Sequence, residues 1–224
     1  MALKEVIKWD IKTWSKALNF WEKEVDWSKI NSCLELGGMQ GGLSLWLALK
    51  NKKFLCSDLS NTKINSEPLH QKYKVGNFIN YQDIDATNIP YENEFDLIVF
   101  KSIIGGIGRN DNKEIQRQVF LQIHKALKPG GKLLFAENLK GSGFHQMLRK
   151  KFVTWGDSWR YINLEEMKEF LFPFSSYKIH TAGVLATLGR SETQRNILNA
   201  FDNIFLNHLV SDEGKYMCYG IAVK

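Results

Sequence analysis

Ten residues, Cys33-Leu34-Glu35-Leu36-Gly37-Gly38-Met39-Gln40-Gly41-Gly42, constrain this chain more than any other stretch. A short apolar run ends in a carboxylate, four glycines follow within six residues, and an apolar helical pattern continues from Leu43 to Leu49. That order predicts a strand, a tight turn and a helix N-terminus. Glycine has no Cβ, so the turn can take positive φ and a ligand can approach the main chain closely. The following helix opens with unpaired N–H groups and the positive end of its dipole.

The chain has 224 residues, enough for one α/β domain with a sizeable core. We therefore expect a single domain over residues 1–224, with an N-terminal helical cap over 1–30. Cys33, Cys56 and Cys218 all lie in apolar, strand-like runs, and none belongs to a CxxC or Cys/His cluster. Neither a zinc site nor a disulfide framework is expected, and three buried thiols fit a reducing, cytoplasmic setting. The first residues lack a signal-peptide core, and no apolar run has the ~18 residues needed to span a bilayer. The net charge of +6 is spread along the chain, which allows an anionic partner without requiring one.

Strand and helix patterns alternate, as in a mostly parallel sheet covered by helices. The spacing predicts a helix over Trp9–Glu24 and strands over Ser32–Leu36, Lys53–Ser57, Phe78–Ile84, Phe95–Phe100, Lys132–Ala136, Tyr177–Val184 and Tyr216–Val223. Further helices are expected over Leu43–Lys50, Asn112–Leu127, Met167–Phe172 and from Ser191 to about Leu209. Asp111 with Glu114, and Asn163 with Glu166, have capping-box spacing.

The glycine turn alone separates two readings poorly. Against the dinucleotide fingerprint G-x-G-x-x-G, Met39 stands where a glycine is required. Against the acidic-x-G-x-G-x-G loop, Glu35, Gly37 and Gly41 match and Met39 replaces the middle glycine. Four later segments decide. Asp58 ends the second strand about 20 residues beyond the loop, where a carboxylate can accept from a ribose diol. Asp85-Ala86-Thr87-Asn88-Ile89-Pro90 follows the third strand. Phe95-Asp96-Leu97-Ile98-Val99 and Leu127-Lys128-Pro129-Gly130-Gly131-Lys132-Leu133 follow in turn.

In their order and spacing, these motifs resemble the class I S-adenosylmethionine (SAM)-dependent methyltransferases over residues 30–137. The resemblance implies a Rossmann-like α/β fold with a seven-stranded mixed sheet of order 3-2-1-4-5-7-6, strand seven antiparallel. It implies SAM as cofactor and S-adenosylhomocysteine (SAH) as product. Glu35 is then expected near the methionine amino group, directly or through the loop. Gly37, Gly38 and Gly41 would allow close approach, and Asp58 would hold the ribose hydroxyls. Leu59 would pack on the adenine, Asp85 would face its amino group, and Ala86 would offer a backbone N–H. Lys101 and Ser102 would border cofactor and substrate, and Asp96 would be structural. Residues 41–49, 56–59 and 100–108 further resemble bacterial methyltransferases associated with surface polysaccharides, which implies a glycan-related acceptor.

A base acting on a hydroxyl acceptor should stand at the carboxyl ends of the strands. Glu137 and His145 are the leading candidates there, with Asp157 and His180 more distant. No His, Asp and Glu combination has metal-site spacing. Residues 138–175 are the expected substrate segment. Arg149, Trp155, Trp159, Arg160 and Tyr161 suit a polar, ring-shaped or anionic ligand, and Lys150 and Lys151 add charge. Trp14, on the N-terminal helix, is a further candidate contact. The expected activity is O- or N-methylation of a small-molecule or glycan-related acceptor. Nucleic acid is a less favoured partner, and weak contact with a membrane surface is a third reading of the basic segment. The competing functions are an RNA or protein methyltransferase and a non-catalytic SAM- or SAH-binding protein.

Overall fold

The computed structural model describes residues 3–152 and 158–224. Its seven strands are β1 (Ser32–Leu36), β2 (Lys53–Asp58), β3 (Ile79–Asp83), β4 (Phe95–Lys101), β5 (Leu127–Asn138), β6 (Ser176–Ala182) and β7 (Met217–Val223). They form one sheet of order β3-β2-β1-β4-β5-β7-β6. β1 to β5 pair in parallel, whereas β7 runs antiparallel to both β5 and β6. The sheet order and the antiparallel seventh strand match the sequence expectation.

Both faces of the sheet are covered, so neighbouring residues of one strand enter different cores. On one face Cys33, Cys56, Val99, Leu134 and Ile221 pack with α2 (Ile11–Glu24) and α3 (Gly42–Ala48). On the other, Leu34, Leu36, Ile98, Phe100 and Phe135 pack with α6 (Lys113–Ala126) and α8 (Leu164–Phe170). Trp14 and Trp21 of α2 are fully buried, and Trp21 Nε1–H donates to the Gly220 carbonyl at 2.9 Å. The N-terminal helix is thus bolted to β7. A short helix not anticipated from sequence, α1 (Leu3–Ile7), lies against the start of α3.

The remaining helices are α4 (Thr62–Lys72), the single turn α5 (Ile104–Ile107), α7 (Gly143–Phe152), α9 (Glu192–Phe201) and α10 (Asn207–Leu209). A wider turn, Asp202–Leu206, joins α9 to α10. The expected capping box at Asn163 and Glu166 is present in full, and Ser191 caps α9 through Gln194 N–H. The cap of α6 lies one residue later than expected. Asp111 takes the left-handed conformation (φ 56), and Asn112 Oδ1 accepts from Ile115 N–H at 3.0 Å. Strand five also starts earlier than expected. Leu127 pairs with Phe95, the Pro129-Gly130-Gly131 turn bulges outward, and pairing resumes between Lys132 and Leu97.

Asp96 ties the amino ends of β1, β4 and β5 together. It accepts from the N–H groups of Asn31 and Ser32, both at 2.9 Å, and pairs with Lys128 at 2.8 Å. The Lys128 ammonium and the two amides outweigh its burial and hold its carboxyl at about 2. A carboxyl held below its unfolded value stabilises the fold above about pH 4, and that contribution is lost as pH falls toward 2. Asp96→Asn should therefore cost about 1–2 kcal/mol at pH 7 in urea melts. The deficit should shrink as the pH approaches 2. A deficit independent of pH would contradict the assignment.

Candidate functional site

β1 delivers the chain into a turn that needs glycine. Gly37 (φ 65), Met39 (φ 48) and Gly41 (φ 71) all lie in the left-handed region. A Cβ on Gly37 would come within 2.3 Å of Ile103 Cγ2, and one on Gly41 within 2.4 Å of the His70 ring. Met39 accepts this conformation with its side chain 72% exposed, so it does not pack beneath the loop.

Three tethers hold the turn. Met39 N–H donates to Asp58 Oδ2 at 2.7 Å, and Ser66 Oγ–H donates to the Met39 carbonyl at 3.0 Å. His70 Nε2–H donates to the Gly41 carbonyl at 2.9 Å, with Nδ1 facing the Tyr81 hydroxyl at 2.9 Å. A carbonyl only accepts, so the proton sits on Nε2 and Nδ1 accepts from Tyr81.

Glu35 organises the helix that follows. Its buried carboxylate accepts from Leu43 N–H at 3.2 Å, from Ser44 N–H at 2.9 Å and from the Ser44 hydroxyl. These are orphan donors of the first turn of α3, and a carboxylate there also meets the positive dipole end. Burial pushes its carboxyl up to about 7, against the donors that lower it.

The loop, α1 and the end of β4 enclose a cavity of about 280 Å³. Glu35, Gly37, Gly38, Met39 and Lys101 line it, with Val6 and Lys8 from the N-terminal segment. The cavity needs the glycines: a Cβ on Gly42 would stand 2.5 Å from the Val6 carbonyl oxygen. Lys101 Nζ lies 5.1 Å from the Trp14 ring centre. Burial lowers the Lys101 pKa, and the charges of Glu137 and Glu35 oppose that. Trp14 is buried, and its Nε1 has no hydrogen-bond partner among the described residues.

Around this cavity the other expected residues occupy defined places. Asp58 and the exposed Leu59 stand at the carboxyl end of β2, where Asp58 Oδ1 accepts from Leu59 N–H. Asp85 is exposed just beyond β3 and accepts from Thr87 N–H and Oγ1, with Ala86 half-buried beside it. Ser102 follows β4 at φ 56, and its hydroxyl accepts from Asn138 Nδ2 at 2.7 Å.

Both leading base candidates are buried and tied to backbone groups. Glu137 is fully buried, and it accepts from the N–H groups of Ile103, Ile104 and Asn138, each at 2.9 Å. Burial raises its carboxyl to about 7. A base near neutrality suits proton transfer, but this carboxylate serves to hold the turn after β4. His145 is buried as well. Its Nδ1 accepts from Ser142 N–H at 3.1 Å, and its Nε2 donates to the Val184 carbonyl at 2.6 Å. Neither reaches into the cavity. His180 lies against Phe20 and Tyr219, and Asp157 falls outside the described residues.

The expected substrate residues divide in the same way. Arg160 is locked by Asp111, Gln116 and Glu166 at 2.8, 2.6 and 2.5 Å, an ion-pair network joining α6 to α8. Trp159 packs on Gly105 and Gly106. Tyr161 lies 3.9 Å beneath the Arg149 guanidinium, which also donates to the carbonyls of Leu139 and Lys140. Trp155 lies outside the described residues. Among the described residues no cluster of three or more His, Cys, Asp or Glu is placed to hold a metal ion. No helix among them is long and apolar enough to cross a membrane.

Sequence reading missed Val6, Lys8, Ser66 and His70. Each is an ordinary residue in a helix or turn, and only the tertiary fold brings it to the loop. Removing the Glu35 carboxylate should show how much the loop depends on it. Glu35→Ala should lower stability by about 1–3 kcal/mol, since buried amides of α3 lose their acceptor. Chemical denaturation reads this, and an unchanged midpoint would contradict the capping role.

Residues 34–133, just under half of the chain, match the methyltransferase domain family. No curated protein matches. Among solved structures, the chain is similar to Haemonchus contortus phosphoethanolamine N-methyltransferase 2 in complex with phosphomonomethylethanolamine and SAH. Identity is 20%, the TM-score is 0.67, and the match covers 94% of this chain and 52% of that one. The chain thus spans about half the length of that enzyme. It is also similar to the YcgJ protein of Bacillus subtilis, at 13% identity, TM-score 0.66 and coverage of 93% and 98%. The cyclase SpnF matches at 14% identity, TM-score 0.62 and coverage of 94% and 80%. Likeness at these identities shows a shared fold, and a cyclase among them shows that the fold alone does not name a reaction. Residues 34–133 thus match the methyltransferase domain family, and the chain shares the fold of an N-methyltransferase crystallised with SAH.

Proposed function

We propose that this chain transfers a methyl group from SAM to a small-molecule or glycan-related acceptor, at oxygen or nitrogen. The glycine-lined cavity at the carboxyl end of β1 carries the proposal. Its residues fit the cofactor. Gly37 and Gly38 line the cavity, Glu35 fixes the first turn of α3, and Asp58 stands at the end of β2 for a diol. Bound there, SAM supplies an electrophilic methyl on a sulfonium.

The protein's share of catalysis is then largely positioning. Aligning a nucleophile with a methyl carbon can supply about 7–11 kcal/mol of the barrier without any base. The place of Glu137 and His145 outside the cavity lining, each tied to backbone, supports this reading over one with a dedicated base. Lys101 and Lys8 place positive charge beside the cavity. An acceptor bringing its own lone pair, such as an amine, suits such a site. The complex of a phosphoethanolamine N-methyltransferase with phosphomonomethylethanolamine supports a small acceptor here. The glycan-related reading rests on the sequence resemblance of residues 41–49, 56–59 and 100–108, and goes with a cytoplasmic location and surface-polysaccharide synthesis.

The same absence of an obvious base favours a second reading, a SAM- or SAH-binding protein without catalysis. Calorimetry on the purified chain should detect SAH binding, and Asp58→Ala should weaken it at least tenfold. No binding at millimolar SAH would contradict the cofactor assignment. Methyl-labelled SAM incubated with fractionated cell extract then separates the two readings: label in any acceptor fraction removes the non-catalytic one.

A further inference from the structure

A second cavity, of about 690 Å³, opens between α7, the segment after β6 and α9. Arg149, Arg190, Arg195 and His145 line it, with Leu148 and Thr187, and among the described residues no Asp or Glu lies on its wall. Its place in the fold follows from the strand directions. β5 and β6 both run antiparallel to β7, so they run parallel to each other. α7 follows the carboxyl end of β5, and residues 183–190 follow that of β6. The cavity therefore stands along the edge of the sheet that carries the glycine loop.

Its walls are preorganised. Asp202 is fully buried and accepts from the N–H groups of Val184, Leu185 and Ala186, at 2.9 to 3.1 Å, which fixes the segment carrying Thr187 and Arg190. Arg149 is clamped by two carbonyls and rests on Tyr161. His145 is held from both sides. Arg195 donates from Nη1 to Glu192 at 2.6 Å, but its Nε is buried with no acceptor among the described residues. A buried donor without an acceptor is costly, about 1–3 kcal/mol, and calls for a partner. Three guanidinium groups, of which Arg195 is paired with Glu192, match the geometry and charge of a phosphate.

A row of packed side chains runs from this cavity to the cofactor side. The Arg195 guanidinium lies 5.6 Å from the Trp9 ring centre, Trp9 lies 5.9 Å from Trp14, and Trp14 lies 5.1 Å from the Lys101 ammonium. Lys101 lines the glycine-loop cavity. Three side-chain contacts thus lie between the walls of the two spaces.

We propose that this arginine-lined cavity binds a phosphate-type anion, and that the anion is part of the methyl acceptor. The assignment of the anion to the acceptor rests on the methyl-transfer reading above. The phosphate can belong to a free phosphoester or to a lipid headgroup, and one experiment tells them apart. The full chain is first saturated with SAH. It is then titrated with glycerol 3-phosphate by calorimetry, and sedimented with phosphatidylcholine vesicles with and without phosphatidic acid. Wild type should bind in at least one arm, and the arm that binds names the source. Arg190→Glu, at an exposed position, should weaken that binding at least tenfold, and Arg195→Lys, which keeps charge but loses Nε and the fork, about fivefold. SAH affinity should stay unchanged in both variants, which shows that they are folded. Wild-type binding to SAH with no binding in either arm, or undiminished binding by Arg190→Glu, would overturn the cavity proposal and leave methyl transfer standing. A wild-type chain that bound glycerol 3-phosphate but no SAH would instead overturn the methyl-transfer reading, and with it the link to an acceptor.

Discussion

The Glu35 carboxylate lies in the core and takes up two backbone amides and a hydroxyl at the start of α3. Everything at the site is hung from that arrangement. The carboxylate fixes where α3 begins relative to β1, so the intervening residues must close the gap in one tight turn. That turn forces positive φ at Gly37, Met39 and Gly41. It also presses Gly42 against α1, which becomes a wall of the cavity. A carboxylate is suited to the task because helix N-termini favour negative charge and offer donors. Its burial is tolerable because those donors meet it.

Similar logic recurs along the same edge of the sheet. Glu137 accepts from the amides that begin the turn after β4, Asp83 from those that begin α4, and Asp202 from the segment after β6. Acidic side chains here mostly hold backbone in place. They shape two cavities whose linings are glycine and lysine in one and arginine in the other. A binding surface built on loops becomes precise when each loop is pinned in this way.

Much of this was legible in the sequence. β1, the glycine turn and α3 announce themselves through residue types that have few other uses together. The alternating burial of β1, β4 and β5 follows from apolar runs that only a doubly covered sheet can hide. The cap at Asn163 is legible because a cap is a local bond between residues three apart. The cap of α6 was misplaced by one residue because Asp111 and Asn112 are chemically equivalent until the left-handed backbone at Asp111 chooses between them. The roles of Glu137, His145 and Arg160 were not legible. A glutamate at a strand end looks the same whether it waits for a proton or holds three amides. The partners of these residues lie far away in sequence: Ile103 for Glu137, Val184 for His145 and Gln116 for Arg160. The setting of Arg195 was not legible either: Glu192 stands one turn away on α9, but Trp9 reaches it from across the fold.

The pinned glycine turn is the proposed seat of the cofactor, and hydrogen exchange by mass spectrometry tests that directly. With SAH added, amides of residues 36–44 and 58–59 should slow markedly, while those of β6 stay unchanged. Protection confined to the segment after β6 and α9, with none in the glycine turn, would contradict it.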